Sequence, residues 1–181
     1  RAEWVVVLPA DLRLRDGFLV TQSGRPSAAL LHGPSGMGKS ALARAFVRSL
    51  RREEPDVLVL AGRCFPRESV PYKALDSLVD ELSLYLQQLP PARSAVLVPR
   101  GMDALLRIFP VLRQLEHATP QSIRATAIAS EVELRRRAFA ALRELFGRLA
   151  ERKPVVLVLD DLQWSDADSD ALLTEILRGP D

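Results

Sequence analysis

Short apolar runs alternate with stretches of helical periodicity along this chain. Ala28-Ala29-Leu30-Leu31, Val57-Leu58-Val59-Leu60 and Val155-Val156-Leu157-Val158-Leu159 are each too short for a helix and too evenly apolar for a half-exposed strand. That is the pattern of parallel strands buried on both sides. Between the first two, residues 39–51 place Leu42, Ala45, Phe46 and Leu50 on one helical face, with Arg48, Arg51 and Arg52 near the negative C-terminal end. A second helix opens at Ser69-Val70-Pro71, carries Leu75, Leu78, Val79, Leu82, Leu86 and Leu89 as its stripe, and stops at Pro90-Pro91. Residues 101–117 read as helix kinked by Pro110, and a long amphipathic helix over 130–152 presents Leu134, Ala138, Ala141, Leu142, Leu145 and Leu149. Ser165-Asp166-Ala167-Asp168 has the spacing of a capping box for a last helix with Ala171, Leu172 and Ile176 inside. Residues 1–27 form a weakly patterned lead, with Trp4 to Leu8 as a short strand and Leu12 to Val20 as a helix interrupted by Gly17. Strands alternating with helices predict an α/β fold with a parallel sheet over 28–181, with a mainly helical segment at 66–150.

Composition narrows the setting. The chain has 181 residues, is 48% hydrophobic and carries a net charge of +2, enough apolar material for one packed domain or part of one. No apolar run approaches the roughly 20 residues of a membrane-spanning helix, and no signal-peptide pattern opens the chain. Cys64 is the single cysteine, so no internal disulfide forms, and two histidines add too little for an ordinary zinc site. These features predict a soluble, cytoplasmic protein. The 25 basic residues are mostly Arg and are interleaved with acids; Arg135-Arg136-Arg137 is the one tight run. Such a distribution reads as solvated helix faces rather than a nucleic-acid surface. A start at Arg1 and an end at Gly179-Pro180-Asp181 read as a segment of a longer chain.

The chemistry concentrates in two motifs. Gly33-Pro34-Ser35-Gly36-Met37-Gly38-Lys39-Ser40 fits G-x-x-x-x-G-K-[ST], the phosphate-binding loop or Walker A motif. Its glycines let the backbone wrap an anion, its N–H groups point inward, and the following helix N-terminus adds a favourable dipole. Lys39 is then the point charge for the β- and γ-phosphates of a nucleotide, and Ser40 the hydroxyl for Mg2+. Lys39 gains weight because Lys is scarce here. The second motif is the apolar run ending in Asp160-Asp161, a Walker B pattern. Parallel strands end on a common edge, so Asp160 can face the loop and hold Mg2+, while Asp161 orients or deprotonates the attacking water.

Other residues have plainer readings. Asp166, Asp168 and Asp170 suit a helix start, Gln163 a surface turn, Trp164 packing, and His32 and Cys64 a buried or rim position near strand ends. A GTP-binding reading is disfavoured, since its guanine-reading motif needs an Asn and the chain has none.

The loop at 33–40 followed by Leu159-Asp160-Asp161-Leu162-Gln163-Trp164-Ser165-Asp166 resembles the AAA-type ATPase module of the STAND class, which includes LuxR-type regulators. Gly62-Arg63-Cys64-Phe65 through Glu68-Ser69-Val70-Pro71-Tyr72-Lys73-Ala74-Leu75-Asp76 resembles the version fused to bacterial serine/threonine protein kinase domains. The resemblance implies a three-layer P-loop NTPase fold, incomplete at its C-terminus because the sensor strand, final strand and helical lid fall outside residues 1–181. The segment Val5 to Leu8 is a candidate to fill part of that gap. It also implies ATP on Gly33 to Ser40, magnesium at Ser40 and Asp160, and catalytic water near Asp161. The function implied is a slow nucleotide-driven signalling switch, with covalently linked kinase, sensor or repeat domains and nucleotide-dependent oligomerisation. Two alternatives stand beside it: a nucleotide-binding scaffold without significant turnover, and a DNA-associated, origin-recognition-like ATPase.

Overall fold

Two of the three apolar runs pair. In the computed structural model, which describes residues 10–21, 26–65, 72–113 and 130–178, β1 (Leu58–Arg63) and β2 (Val155–Asp160) run parallel, from Leu58 opposite Val155 to Arg63 opposite Asp160. A parallel pair needs a long crossover, and the described part of the connection holds four α-helices: α3 (Lys73–Gln87), α4 (Pro91–Ala95), α5 (Met102–Ile108) and α6 (Glu131–Ala150). Before it lie α1 (Ala10–Thr21) and α2 (Lys39–Glu53); after β2 comes α7 (Ala167–Ile176).

The core sits between the crossover helices and the sheet. Leu75, Leu78, Val79, Leu82 and Leu86 of α3 are fully or almost fully buried, as their helical spacing predicts, and join Leu58 and Leu60 of β1 in one cluster. Met102, Leu105 and Leu106 of α5 and Ala141, Leu142, Leu145 and Leu149 of α6 extend it, and Leu172 of α7 closes it. Tyr72 makes edge-on contacts with Phe109 (5.8 Å) and Phe139 (5.6 Å), joining three elements at one point. Two ion pairs, Arg135 to Asp168 at 2.7 Å and Arg143 to Glu175 at 3.3 Å, tie α6 to α7. Ser130 caps α6, its hydroxyl accepting from the Glu133 N–H at 3.2 Å, so the predicted start of this helix stands.

The run at 28–31 departs from expectation. Ala28 and Ala29 are exposed, Leu30 and Leu31 half-buried, and none belongs to a strand. An apolar run becomes a strand only when a neighbour supplies the ladder, and among the described residues nothing pairs with this one. The same fact corrects the reading of β2 as buried on both sides: every residue from Val155 to Asp160 is only half-buried. Its one hydrogen-bonded neighbour among the described residues is β1.

Three boundaries also shift. α3 begins at Lys73, after Tyr72, and the expected opening at 69–71 lies outside the described residues. α5 stops at Ile108 instead of kinking through Pro110, because Phe109, preceding a proline, takes φ −120° and leaves the helical region. The cap of α7 is Asp166 rather than Ser165. Residues 5–8, and 114–117 of the predicted helix, lie outside the described residues. Among the described residues no helix is long and apolar enough to cross a membrane.

Leu78 and Leu84 share α3, but Leu78 is fully buried while Leu84 is 58% exposed. Leu78→Ala is expected to cost about 2–5 kcal/mol in chemical denaturation, and Leu84→Ala to stay within about 0.5 kcal/mol. Equal costs at the two positions would contradict this packing.

Candidate functional site

The strand register decides what meets at the C-terminal edge of the sheet. Arg63 and Asp160 are Cα partners there, and the Cys64 N–H donates to the Asp160 carbonyl at 3.0 Å, continuing the pairing one residue past the strand. α2 comes to the same edge. The Ser40 hydroxyl donates to Asp160 Oδ1 at 3.0 Å, closing 120 residues of sequence separation and joining the two predicted motifs. Asp160 Oδ1 also accepts from the Asp161 N–H at 3.0 Å, which fixes the carboxylate against its own backbone.

The loop before α2 is shaped by Gly36 (φ 84°) and Gly38 (φ 85°), both in the left-handed region that a side chain disfavours. An added Cβ meets nothing within 4 Å at either position, so their requirement is conformational rather than one of space. Pro34, Ser35, Gly36, Met37 and Gly38 are exposed, and Met37 projects furthest, at 70%. Lys39 folds back over the loop, donating to the carbonyls of Gly33 (2.8 Å) and Pro34 (2.9 Å). The start of α2 differs from those of α6 and α7. Those two carry a capping Ser or Asp and acids in the first turn, whereas α2 has neither a side-chain cap nor an acidic residue there. Its first N–H groups therefore keep their donor capacity and positive dipole end for an anion.

Asp161 takes φ 60°, a left-handed conformation that Asp tolerates better than most residues, and so turns the chain from β2 into a short 3-10 turn over Leu162–Trp164. Its carboxylate is engaged on both oxygens. Arg63 Nε and Nη2 each lie 2.9 Å from Oδ2, and Gln163 Nε2 donates to Oδ1 at 3.0 Å. Those hydrogen bonds, first from Arg63 and then from Gln163, with the charges of Arg63 and Lys39, hold the Asp161 carboxyl below its usual range.

Lys39, Ser40, Asp160 and Asp161 thus gather at one edge, with the loop of Gly33, Pro34, Ser35, Gly36, Met37 and Gly38 leading into it. Arg63 had no functional reading from its own position. The available signal was a charged residue ending an apolar run that enters the same edge. Gln163 is exposed, as a turn residue should be, yet bonds Asp161. Trp164, the last residue of the 3-10 turn, is 51% exposed rather than packed. His32 is exposed, and Cys64 is buried, where loss of solvation and the surrounding Asp161, Asp166, Asp170 and Asp160 charges push its thiol up and make it a poor nucleophile.

Ser40 and Asp160 present two hard oxygen atoms 3.0 Å apart, a donor set suited to Mg2+, which commonly takes one or two protein oxygens and completes its shell with phosphate and water. The three later acids have other work. Asp166 accepts from the Ser169 N–H (2.8 Å) and hydroxyl (2.6 Å), Asp168 pairs with Arg135, and Asp170 accepts from Ser165. Among the described residues no three His, Cys, Asp or Glu side chains converge on a common point as a metal site.

A family model described as an AAA ATPase domain matches residues 12–181. An uncharacterized protein of Rhizobium meliloti (strain 1021) is 29% identical over 170 residues, covering 92% of this chain; the chain spans only 16% of that relative's length. No solved structure matches.

Asp166 connects this edge to the helical core, since its Oδ1 also accepts from the Tyr72 N–H at 3.4 Å. Burial pushes its carboxyl up, but the bonds from Ser169 and Tyr72 outweigh that and lower it below the ordinary Asp value. A depressed carboxyl stabilises the fold above its unfolded-state pKa, and the contribution is lost as pH falls through the folded value. Asp166→Ala is therefore expected to cost about 0.5–2 kcal/mol at neutral pH. The difference from wild type should shrink on acidification below the carboxylate range. Denaturation series at several pH values test this, and a pH-independent difference would contradict the assignment.

Proposed function

The chain belongs to the AAA ATPase domain family, and on that premise we propose that it binds ATP with Mg2+ on residues 33–40 and hydrolyses it to drive a conformational switch in a larger signalling protein. One observation carries the site assignment: the 3.0 Å hydrogen bond between Ser40 and Asp160, which unites the two motifs. The loop N–H groups and the uncapped start of α2 receive the phosphates, and Lys39 exchanges the carbonyls of Gly33 and Pro34 for β- and γ-phosphate oxygens. Ser40 and Asp160 are the residues that would hold Mg2+. When bound, the ion supplies charge neutralisation on the phosphate oxygens. Asp161 accepts a hydrogen bond from water and aligns it with the γ-phosphorus. The water oxygen bonds to phosphorus as the bond to the β-γ bridging oxygen breaks; one water proton stays on the phosphate and the other leaves through Asp161 to solvent, giving ADP and phosphate.

The STAND-class, kinase-linked and LuxR-like readings rest on the resemblance of the 62–76 segment and of the residues after Asp160. A multidomain setting is supported by the length of the Rhizobium relative, of which this chain matches a minor part. Linked kinase, sensor or repeat domains, nucleotide-dependent self-association and a cytoplasmic location belong to the same proposal. A second reading, nucleotide binding without turnover, draws on the engagement of both Asp161 oxygens by Arg63 and Gln163.

Binding and phosphate release, measured separately, discriminate the two. Lys39→Ala should weaken ATP binding about tenfold or more, the scale of losing charged hydrogen bonds. Asp161→Asn should bind ATP at least as tightly as wild type while slowing release about 10²–10⁴-fold. Unchanged affinity in Lys39→Ala would remove the loop from the account. ATP binding with no release even in wild type would favour the non-hydrolysing reading.

A further inference from the structure

Arg63 ends β1 directly opposite Asp160, so its side chain springs from the same edge as Ser40, Asp160 and Asp161. Its guanidinium is a planar fork whose parallel N–H groups match two oxygens of a carboxylate or phosphate. Here that capacity is half used. Nε and Nη2 both converge on the single oxygen Oδ2 of Asp161, while Gln163 donates to Oδ1. The pair is also open to solvent, with the Arg63 side chain 60% exposed, and an exposed ion pair of this kind is readily given up to a better acceptor. The guanidinium carbon lies 5.6 Å from the Phe65 ring centroid, a seat that does not depend on Asp161.

We propose that Arg63 is a receptor for the terminal phosphate of a bound triphosphate, exchanging the single Asp161 oxygen for two γ-phosphate oxygens, so that the site separates ATP from ADP. This rests on the reading of residues 33–40 as the ATP site. Two cations then divide the phosphate chain. Lys39 serves the β- and γ-phosphates from the loop, and Arg63 serves the γ-phosphate alone from the strand edge. The exchange also frees Oδ2 of Asp161 at the stage when a water must be aligned. Discrimination follows from geometry, since only the triphosphate offers the fork two oxygens at that end, and ADP leaves Arg63 with Asp161.

The test measures ATP and ADP affinities, each with Mg2+, by calorimetry on the 181-residue chain. Arg63→Ala is expected to weaken ATP about tenfold and ADP less than about twofold, collapsing the preference. Asp161→Asn, which turns the competing carboxylate into a neutral amide, should tighten ATP relative to ADP when Arg63 is present and not when it is replaced, a coupling read from the double-variant cycle. Equal weakening of both nucleotides in Arg63→Ala, no change in either, or no coupling to Asp161 would each overturn the proposal. Lys39→Ala separates this from the underlying reading. If it weakens both nucleotides while Arg63→Ala alters neither, only the role of Arg63 falls. If it alters neither nucleotide, the loop assignment falls as well.

Discussion

Parallel, in-register pairing of β1 with β2 is the constraint on which the rest of the site depends. Successive side chains alternate between the two faces of a sheet, so a slip of one residue would turn every side chain of one strand to the opposite face. The register instead ends both strands together, Arg63 beside Asp160, and the peptide hydrogen bond from Cys64 to Asp160 locks that ending. Ser40 and Asp161 then reach Asp160 through single hydrogen bonds of 3.0 Å. Four polar side chains from three separate elements thus share one edge because two apolar strands leave them little choice.

Stability and chemistry are divided along the chain. The buried leucines belong chiefly to α3, α5 and α6, all inside the crossover between β1 and β2. The residues at the sheet edge are small, charged or exposed. Asp166 and Arg135 bridge the two regions, one through Tyr72 and Ser169, the other through Asp168. The sheet also meets the helices through packed apolar surface, Leu58 and Leu60 lying in the same cluster as the α3 leucines, so hydrogen bonds and ion pairs, which can exchange partners, act beside packing, which resists shifts.

Much of this was legible in the residue pattern. Helical spacing identified the stripes of α3 and α6, and motif spacing picked out Lys39, Ser40, Asp160 and Asp161, because in each case the information is local. What failed was non-local. The apolar run at 28–31 has strand composition, but a strand is a property of a pair, and composition does not say whether the neighbour is present. The same limit made β2 look buried on both sides. The termination of α5 was readable, since a residue before proline leaves the helical region. The choice of Asp166 over Ser165 as cap needed coordinates, because both side chains can play that part. Arg63 escaped notice because its partner, Asp161, is distant in sequence and their meeting depends on strand register.

α2 has a consequence of its own. Of its 15 residues only Leu50 is buried, and among the described residues its side chains reach α1 through the exposed Arg15–Glu53 ion pair and Asp160 through Ser40. Few fully buried apolar residues place an element toward the low end of local stability. A molecule that bridges the loop and Asp160 would add its binding free energy to the anchoring of α2, about 2.7 kcal/mol at a hundred times its dissociation constant. Nucleotide would then act as a structural component of this part of the protein, and its departure would loosen the helix that received it.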